Sequence, residues 1–442
     1  MKKIRIGSGA GYSEDRLEPA IDVMKNGNID YVIFECLAER TIALAQQAKL
    51  EDPLKGYNNW LEYRMDSILP LCAEKGFKVI TNMGAANPLE AAELVKKMAI
   101  EKGLSHLRII AVIGDDIFPS IDKYVNYEVL ETGELLSPYT STLISANAYI
   151  GAEGILKALQ NEADIVITGR VADPSLALGA LMYEFDWSFD DYEYLGRGTL
   201  IGHLLECGAQ VTGGYFADPG YKDVPELWNV GFPIVEVDKE GEFFITKLKK
   251  SGGIVSEATV KEQILYEIHD PANYFTPDVI ADFSKVEVKE FEGNSVSVTG
   301  ATGKPPTGLF KTSIGYKDSF IIEGEMSYGG LGSYKRAKLA GEIVNKRITL
   351  LGMPHLEIRT DYIGVESLYK DVTGDTPTVN EVRLRIAART EEYEDALRIG
   401  KEIESLYTNG PAGGGGYRMN IKDVIGINSI FVPSKDITIQ IK

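Results

Sequence analysis

Short apolar runs alternate with amphipathic stretches along the first 195 residues of the chain. The amphipathic stretches, such as residues 88–103 and 147–163, have the spacing of helices. The apolar runs are rich in Val and Ile and predict strands at residues 4–9, 31–35, 78–82, 108–116 and 164–170. Such strands, separated by helices, are typical of a parallel sheet that is covered on both faces. We therefore expect residues 1–195 to form a parallel, Rossmann-like α/β domain with helices on both faces of its sheet.

The middle of the chain, residues 196–314, changes character after one strongly apolar helix. Residues 232–248 carry a hairpin signal, in which a polar Asp-Lys-Glu-Gly turn separates two apolar runs. A second strand-rich stretch occupies residues 285–303. We expect this part to be a mixed β region that completes the first domain.

The last part, residues 315–442, has its own order of elements. Strands are predicted at residues 320–327, 355–364, 381–390 and 436–442, and helices at 333–352 and 391–410. The order β-α-β-β-α-β is that of a ferredoxin-like α+β unit, which we expect to pack on the sheet domain. The glycine-rich stretch 409–418 is expected to be a flexible loop, or else a closing loop or a nest of backbone amides for a carboxylate or phosphate.

The helix predicted from residue 198 carries a thin line of polar side chains on an otherwise apolar cylinder. At about 100° per residue, these side chains share one stripe. They are Thr199, His203, Glu206 and Gln210. Because a histidine and a carboxylate three residues apart can tune each other's basicity, we predict His203 and Glu206 as the catalytic acid and base. The other interpretation of the stripe is a polar seam that is hydrogen-bonded to a neighbouring element.

Polar residues also collect where the predicted parallel strands end. Ligands of such sheets bind beyond the carboxyl ends of the strands, and Arg170 follows the strand at 164–170. An arginine there can hold a carboxylate or phosphate, although an internal Arg170–Asp173 pair that shapes the loop is equally open. We predict that the substrate is bound by Arg170, Asp173, Gln210, Asn82, Asn87, Ser8, Tyr12 and Arg16.

The loop after the first strand invites a comparison with dinucleotide-binding loops, and Glu35 at the end of the second strand would then bind a ribose. Its glycines recur at every second residue, however, and the acids of "YSEDR" would repel a phosphate. A tight turn with Ser13 as the N-cap of the following helix explains the glycines as well. We therefore expect that no cofactor is required. A Mg²⁺ ion could be held by Glu35, Glu39, Asp115 and Asp116, two of which could instead cap helices.

Composition narrows the class of partner. The 442 residues carry 46 Lys and Arg against 65 Asp and Glu, a formal net charge of −19, which disfavours nucleic acid and anionic membranes as partners. The 3 cysteines, Cys36, Cys72 and Cys207, form no paired motif and fit a reducing compartment. We expect no signal peptide, and no apolar run approaches the roughly 20 residues of a membrane span. We expect a cytoplasmic homo-oligomer.

Several segments together resemble the acyclic terpene utilisation protein A (AtuA) family, in an order that is kept over most of the chain. They are "SANAYIGAEGILKAL", "ADIVITGRVADPSLALGAL", "GHLLECGAQVTGGYFAD", "GATGKPP" and "NGPAGGGG". The resemblance implies a setting in the degradation of branched acids and acyclic terpenes, and in some cases a small companion protein. It transfers no catalytic residue to this chain.

Residues and resemblance together predict a lyase or hydro-lyase that acts on a branched short-chain carboxylic acid or an acyl-CoA. His203 and Glu206 would supply acid and base, and Arg170 the anchor. A non-catalytic ligand-binding or scaffold subunit of a companion enzyme is the first alternative. A nucleotide-dependent oxidoreductase is the second.

Overall fold

The computed structural model describes residues 2–369 and 379–442. The chain forms two compact units, one made of Met1–Gly315 with Ile427–Lys442 and the other of Tyr316–Gly426. In the part of the chain that is described, no helix is both long and apolar enough to cross a membrane.

The strands are numbered in chain order. They are β1 (Lys3–Ala10), β2 (Tyr31–Phe34), β3 (Lys78–Thr81), β4 (Ile109–Ile113), β5 (Leu143–Ala148), β6 (Ile165–Thr168), β7 (Pro233–Asp238), β8 (Phe243–Lys247), β9 (Tyr274–Phe275), β10 (Ile280–Asp282), β11 (Glu287–Glu292), β12 (Ser295–Thr299), β13 (Thr302–Lys304), β14 (Leu309–Gly329), β15 (Glu357–Ile363), β16 (Glu381–Thr390), β17 (Gly414–Pro433) and β18 (Gln440–Ile441).

The helices follow the same convention. They are α1 (Glu18–Asn26), α2 (Glu39–Glu51), α3 (Leu61–Lys75), α4 (Pro88–Glu101), α5 (Glu153–Gln160), α6 (Ser175–Phe185), α7 (Tyr192–Glu206), α8 (Glu257–Leu265), α9 (Ser333–Leu350), α10 (Tyr393–Glu404) and α11 (Leu406–Asn409). A short 3-10 helix, Gly208–Thr212, continues α7.

The first unit is built on a sheet with the order β11-β12-β8-β7-β1-β2-β3-β6-β4-β18. Its centre, from β1 to β4, is parallel, as the predicted alternation of strands and helices requires. The hairpin strands β7 and β8 and the strands β11 and β12 extend it in antiparallel fashion. The unit is therefore a mixed α/β structure, and its middle region adds strands to the same sheet.

Side chains of the central strands alternate between two cores. Ile33 of β2 belongs to a core that includes α5, α6 and α7, whereas its neighbour Val32 belongs to a core that includes α1, α3 and α4. All four side chains of β2 and of β6 are buried, because helices cover both faces of the sheet. The apolar helix α6 is buried for the same reason on nearly every side, and α7 lies against it.

The second unit has the strand order β15-β16-β14-β17, and its helices α9 and α10 share one core with the sheet. Strands β15 and β16 are antiparallel neighbours in this sheet, from Glu357 opposite Arg389 to Ile363 opposite Arg383. The prediction that 355–364 and 381–390 lie in one sheet is thus confirmed.

The prediction that the strand at residues 436–442 belongs to this unit is wrong. Residues 440–441 form β18, which pairs with β4 in the sheet of the first unit. The fourth strand is β17 instead, and it begins inside the glycine-rich stretch that the sequence predicts to be a loop. Four consecutive glycines provide no alternation of apolar and polar side chains, and this alternation is the pattern from which a strand is predicted.

Candidate functional site

A cavity of about 590 Å³ in the first unit, which we call the chamber, lies where the ends of β1, β2 and β6 meet the end of α7. Gly11 shows how closely these elements approach, because a Cβ atom on it would lie 2.4 Å from the backbone carbon of Cys207. The wall includes Tyr12, Arg170, Asp173, Glu206 and Gln210, so five of the ten predicted site residues share this cavity.

His203 and Glu206 form the hydrogen-bonded pair that their spacing predicts. Nδ1 of His203 lies 2.9 Å from Oε1 of Glu206, and Nε2 lies 2.8 Å from the backbone oxygen of Gln263. A carbonyl oxygen can only accept, so Nε2 carries a hydrogen, and Nδ1 and Glu206 share a further proton between them. Burial lowers the pKa of His203, but the hydrogen bond and charge of Glu206 outweigh it, and the net shift is upward.

His203 does not touch the chamber itself. Its ring is 1 % exposed and packs near Tyr274 and Phe283. Both ring nitrogens have protein partners, and the side chain is not part of the wall. It reaches the chamber only through its hydrogen bond to Glu206.

Glu206 is the member of the pair that faces the chamber. Its Oε1 is held by His203, whereas its Oε2 is buried and has no hydrogen-bond partner within the described structure. A buried carboxylate oxygen without a partner is costly and rare in folded proteins. Glu206 therefore keeps one oxygen that no described protein group binds.

Glu35, at the end of β2, is a second carboxyl group in the same wall. Its Oε1 accepts hydrogen bonds from the backbone N–H of Leu37 at 2.8 Å and from Nδ2 of Asn82 at 3.0 Å. Burial raises the pKa of Glu35 to about 7, although the charge of Arg170 opposes the shift. Glu35 can therefore give or take a proton near neutral pH, a role that the sequence analysis did not assign to it.

Arg170 is fully buried and already has partners in the protein. Its guanidinium donates to the backbone oxygens of Leu37 and Val171 at 2.5 to 3.0 Å, and it pairs with Asp173. Its carbon Cζ lies 4.4 Å from the centre of the Tyr149 ring. Of the two interpretations left open by the sequence, the internal Arg170–Asp173 pair is the one observed. Burial raises the pKa of Asp173 even though Arg170 is adjacent.

Glu39 is a further carboxyl group in the wall of the chamber. It accepts a hydrogen bond from the Tyr149 hydroxyl at 2.6 Å and lies 3.3 Å from Nζ of Lys311. Burial opposes ionisation, but the Tyr149 hydrogen bond and the Lys311 charge lower the pKa of Glu39 to about 2. The surroundings thus shift the pKa values of two carboxyl groups of the wall in opposite directions, that of Glu39 downward and that of Glu35 upward.

The other predicted substrate-binding residues lie outside the wall. Asn82 reaches the chamber only through Glu35, and its Oδ1 accepts from the backbone N–H of Cys36 at 2.7 Å. Asn87 donates to two backbone oxygens of the loop at 53–55. Ser8 is buried within β1, and the exposed Arg16 donates to the backbone oxygen of Trp228 at 3.2 Å. These four residues shape loops and strands, and none of them contacts the cavity directly.

The glycine loop after β1 is not arranged as a phosphate site. Oδ2 of Asp15 accepts a hydrogen bond from the backbone N–H of Gly11 at 2.8 Å, so an acidic side chain occupies the position of an anion. The prediction of Ser13 as an N-cap is wrong, because α1 begins at Glu18 after Leu17. Proline at the start of α1 fixes that boundary.

The four acids considered for Mg²⁺ do not converge. Glu35 and Glu39 line the chamber, whereas Asp115 accepts from Asn147 at 2.9 Å and Asp116 from the backbone N–H of Phe118 at 3.0 Å. Among the residues described, no group of three or more His, Cys, Asp or Glu side chains is placed to hold a metal ion. Burial raises the pKa of Asp115 to about 6.

The fold and the chamber together define an α/β protein with buried carboxyl groups at the strand ends. The chain belongs to the family described as acyclic terpene utilisation family protein AtuA, whose model matches residues 4–442. Comparisons with curated proteins and with solved structures found no match. The comparisons therefore show the family of the protein, and its chemistry is inferred from the chamber.

Proposed function

We propose that this protein is a lyase, of the hydro-lyase type, that acts on an acyl derivative of a branched short-chain acid. The observation that carries the proposal is Glu206, a buried carboxyl group in the wall of the chamber, which His203 holds through Oε1 and whose Oε2 is buried without a hydrogen-bond partner in the described structure. A general base needs this combination of a held orientation and a free oxygen.

Glu206 and Glu35 divide the proton transfers between them. Glu206 takes the proton from the carbon next to the acyl carbonyl, and that electron pair forms the new carbon–carbon double bond. The bond from the next carbon to its hydroxyl breaks, and Glu35 gives its proton to the leaving hydroxyl, which departs as water. The raised pKa of Glu35, about 7, supports the acid role at neutral pH. The step transfers protons and releases water without net oxidation or reduction, so it needs no redox cofactor.

The charges of the chamber favour a thioester or another neutral acyl group over a free carboxylate. The described wall carries one guanidinium, that of Arg170, and its donors are largely used by the protein. The wall also carries the carboxyl groups of Asp15, Glu35, Glu39, Asp173, Glu206 and Glu267. A carboxylate at the reacting end would be repelled by these groups, whereas a carbonyl oxygen can accept from protonated or neutral donors.

We also propose that the unit Tyr316–Gly426 is ferredoxin-like and that the central sheet of the first unit is Rossmann-like. The strand order β15-β16-β14-β17 supports the first assignment, because β14 lies between the third and fourth strands of its unit. Helices on both faces of the parallel strands support the second.

The direct test is turnover of 3-hydroxyacyl thioesters with branched and unbranched chains, followed by the appearance of the conjugated double bond. We expect water loss in the wild type and a rate lower by about 10²–10⁴-fold in Glu206→Gln. Glu134→Gln, an exposed carboxyl group on another loop, is the matched control and should be unchanged. Binding without any turnover would overturn the lyase and support a ligand-binding subunit of a companion enzyme.

A further inference from the structure

A second cavity, of about 420 Å³, opens beside the chamber in the same unit, and we call it the annex. The two cavities share Glu39, Tyr149, Asp173 and Glu267 in their walls, so they adjoin each other. Both volumes fall within the range of about 300–1,000 Å³ that small-molecule sites occupy. The mechanism above uses only the chamber and leaves the annex without a role.

The wall of the annex differs chemically from that of the chamber. Its side chains beyond the shared ones are mainly apolar. They include Pro174, Tyr274, Phe275, Leu309 and Phe431. Phe275 is 61 % exposed and Phe431 43 % exposed, so these rings meet solvent when the annex is empty. Covering such side chains with an apolar group is favourable.

We propose that the annex is the binding site for the apolar chain of the substrate whose carbonyl group reacts in the chamber. A molecule with a polar end and a hydrocarbon end matches this pair of cavities. Its polar end would lie beside Glu206 and Glu35 in the chamber, and its hydrocarbon end beside Leu309 and Phe275 in the annex. The inference rests on the proposed function, because it takes the reacting end to lie in the chamber.

The two walls explain why the hydrocarbon chain of the substrate would bind in the annex and not in the chamber. Glu39 is held by Tyr149 and Lys311 at the boundary between the two cavities, and its charge is satisfied there by protein groups. A hydrocarbon beside the carboxyl groups of the chamber is unfavourable, because it would displace water from them without replacing the hydrogen bonds that the water makes. The annex therefore selects for chain length, whereas the chamber selects for the reacting group.

Binding rather than turnover tests the annex. The probes are N-acetylcysteamine thioesters of saturated acids from two to ten carbons, and calorimetric titration gives their dissociation constants. Each added methylene should tighten binding by about fourfold until the annex is filled, after which the affinity should level off. An affinity that does not depend on chain length would overturn the inference.

Two variants locate the effect. Leu309→Trp fills the annex and should remove the gain for long chains while leaving the affinity for the two-carbon probe unchanged. Leu54→Trp, at a leucine that is 64 % exposed and outside both cavities, is the control and should behave as the wild type. Phe275→Ala widens the annex and should move the levelling-off to longer chains.

The outcomes separate this inference from the proposed lyase. The same length dependence in Leu309→Trp, in Phe275→Ala and in the wild type would place the chain elsewhere and overturn the annex. A length dependence that Leu309→Trp abolishes, together with unchanged turnover in Glu206→Gln, would keep the annex as a binding site and remove the lyase mechanism.

Discussion

Glu35→Gln should stabilise the folded protein, and more so as the pH rises. The carboxyl group of Glu35 is buried and its pKa is raised from 4.5 to about 7 in the folded protein, so the folded state holds this proton more tightly than the unfolded chain does. Below about pH 4.5 both states are protonated and no penalty exists. Between about pH 4.5 and 7 the unfolded chain ionises first, so stability falls, and above about pH 7 the penalty is complete.

The size of the penalty follows from the shift. A change in pKa from 4.5 to about 7, at about 1.4 kcal/mol for each unit, amounts to about 3 kcal/mol. Glutamine keeps the oxygen that accepts from Leu37 and Asn82, so the variant removes the ionisable group without breaking those hydrogen bonds. Urea titrations should therefore show a gain of about 3 kcal/mol at about pH 8 and little gain at about pH 4.5.

Glu134→Gln removes an exposed carboxyl group and is the control for the general effect of losing one negative charge. It should not reproduce the pH-dependent difference. An equal gain for Glu35→Gln at both pH values would refute the reasoning, as would a loss of stability at about pH 8. Loss of turnover in the stabilised variant would show that the protein retains this carboxyl group at a cost in stability.

Other expectations follow from the same geometry. The pH profile of kcat/KM should fall above about pH 7 as Glu35 loses its proton, and a flat profile from about pH 6 to 9 would argue against its acid role. Arg170→Ala should lower the free energy of unfolding by about 3 kcal/mol, because it leaves Asp173 and two backbone oxygens without their partner; an unchanged urea midpoint would contradict this. His203→Ala should lower turnover through Glu206, and a lower melting temperature with wild-type turnover would instead mark a structural seam.

The fold was predictable where one physical rule decides the pattern. Strands β2 and β6 are buried on both faces, so they appear in the sequence as short runs, mainly of Val, Ile and Phe, without a charged residue. Strand β17 was not predicted, because it begins in glycines. Strand β18 lies within a predicted strand, but two residues cannot reveal which sheet they join. Partner choice depends on contacts between residues far apart in sequence, and those are not written in local patterns.

In the candidate site, too, features that local geometry fixes were predictable, and those that depend on distant residues were not. The pairing of His203 with Glu206 follows from their spacing in one helix, which local geometry fixes. Which of them faces the chamber depends on Gln263 in α8, whose backbone oxygen accepts a hydrogen bond from Nε2 of His203. The importance of Glu35 depends on burial, and the only hint in the sequence was an acid directly after an apolar strand. Likewise, Arg170 donates to the backbone oxygen of Leu37, which belongs to a different loop.

The most direct test of the acid–base chamber is the exchange of the proton next to the carbonyl group in heavy water. The probe is the N-acetylcysteamine thioester of butanoic acid, and proton NMR follows the loss of its signal. We predict that the wild-type protein accelerates this exchange and that Glu206→Gln reduces the acceleration by about 10²–10⁴-fold, because Glu206 is the base that faces the chamber. Exchange at the wild-type rate in Glu206→Gln, or no acceleration by the wild type, would contradict the account.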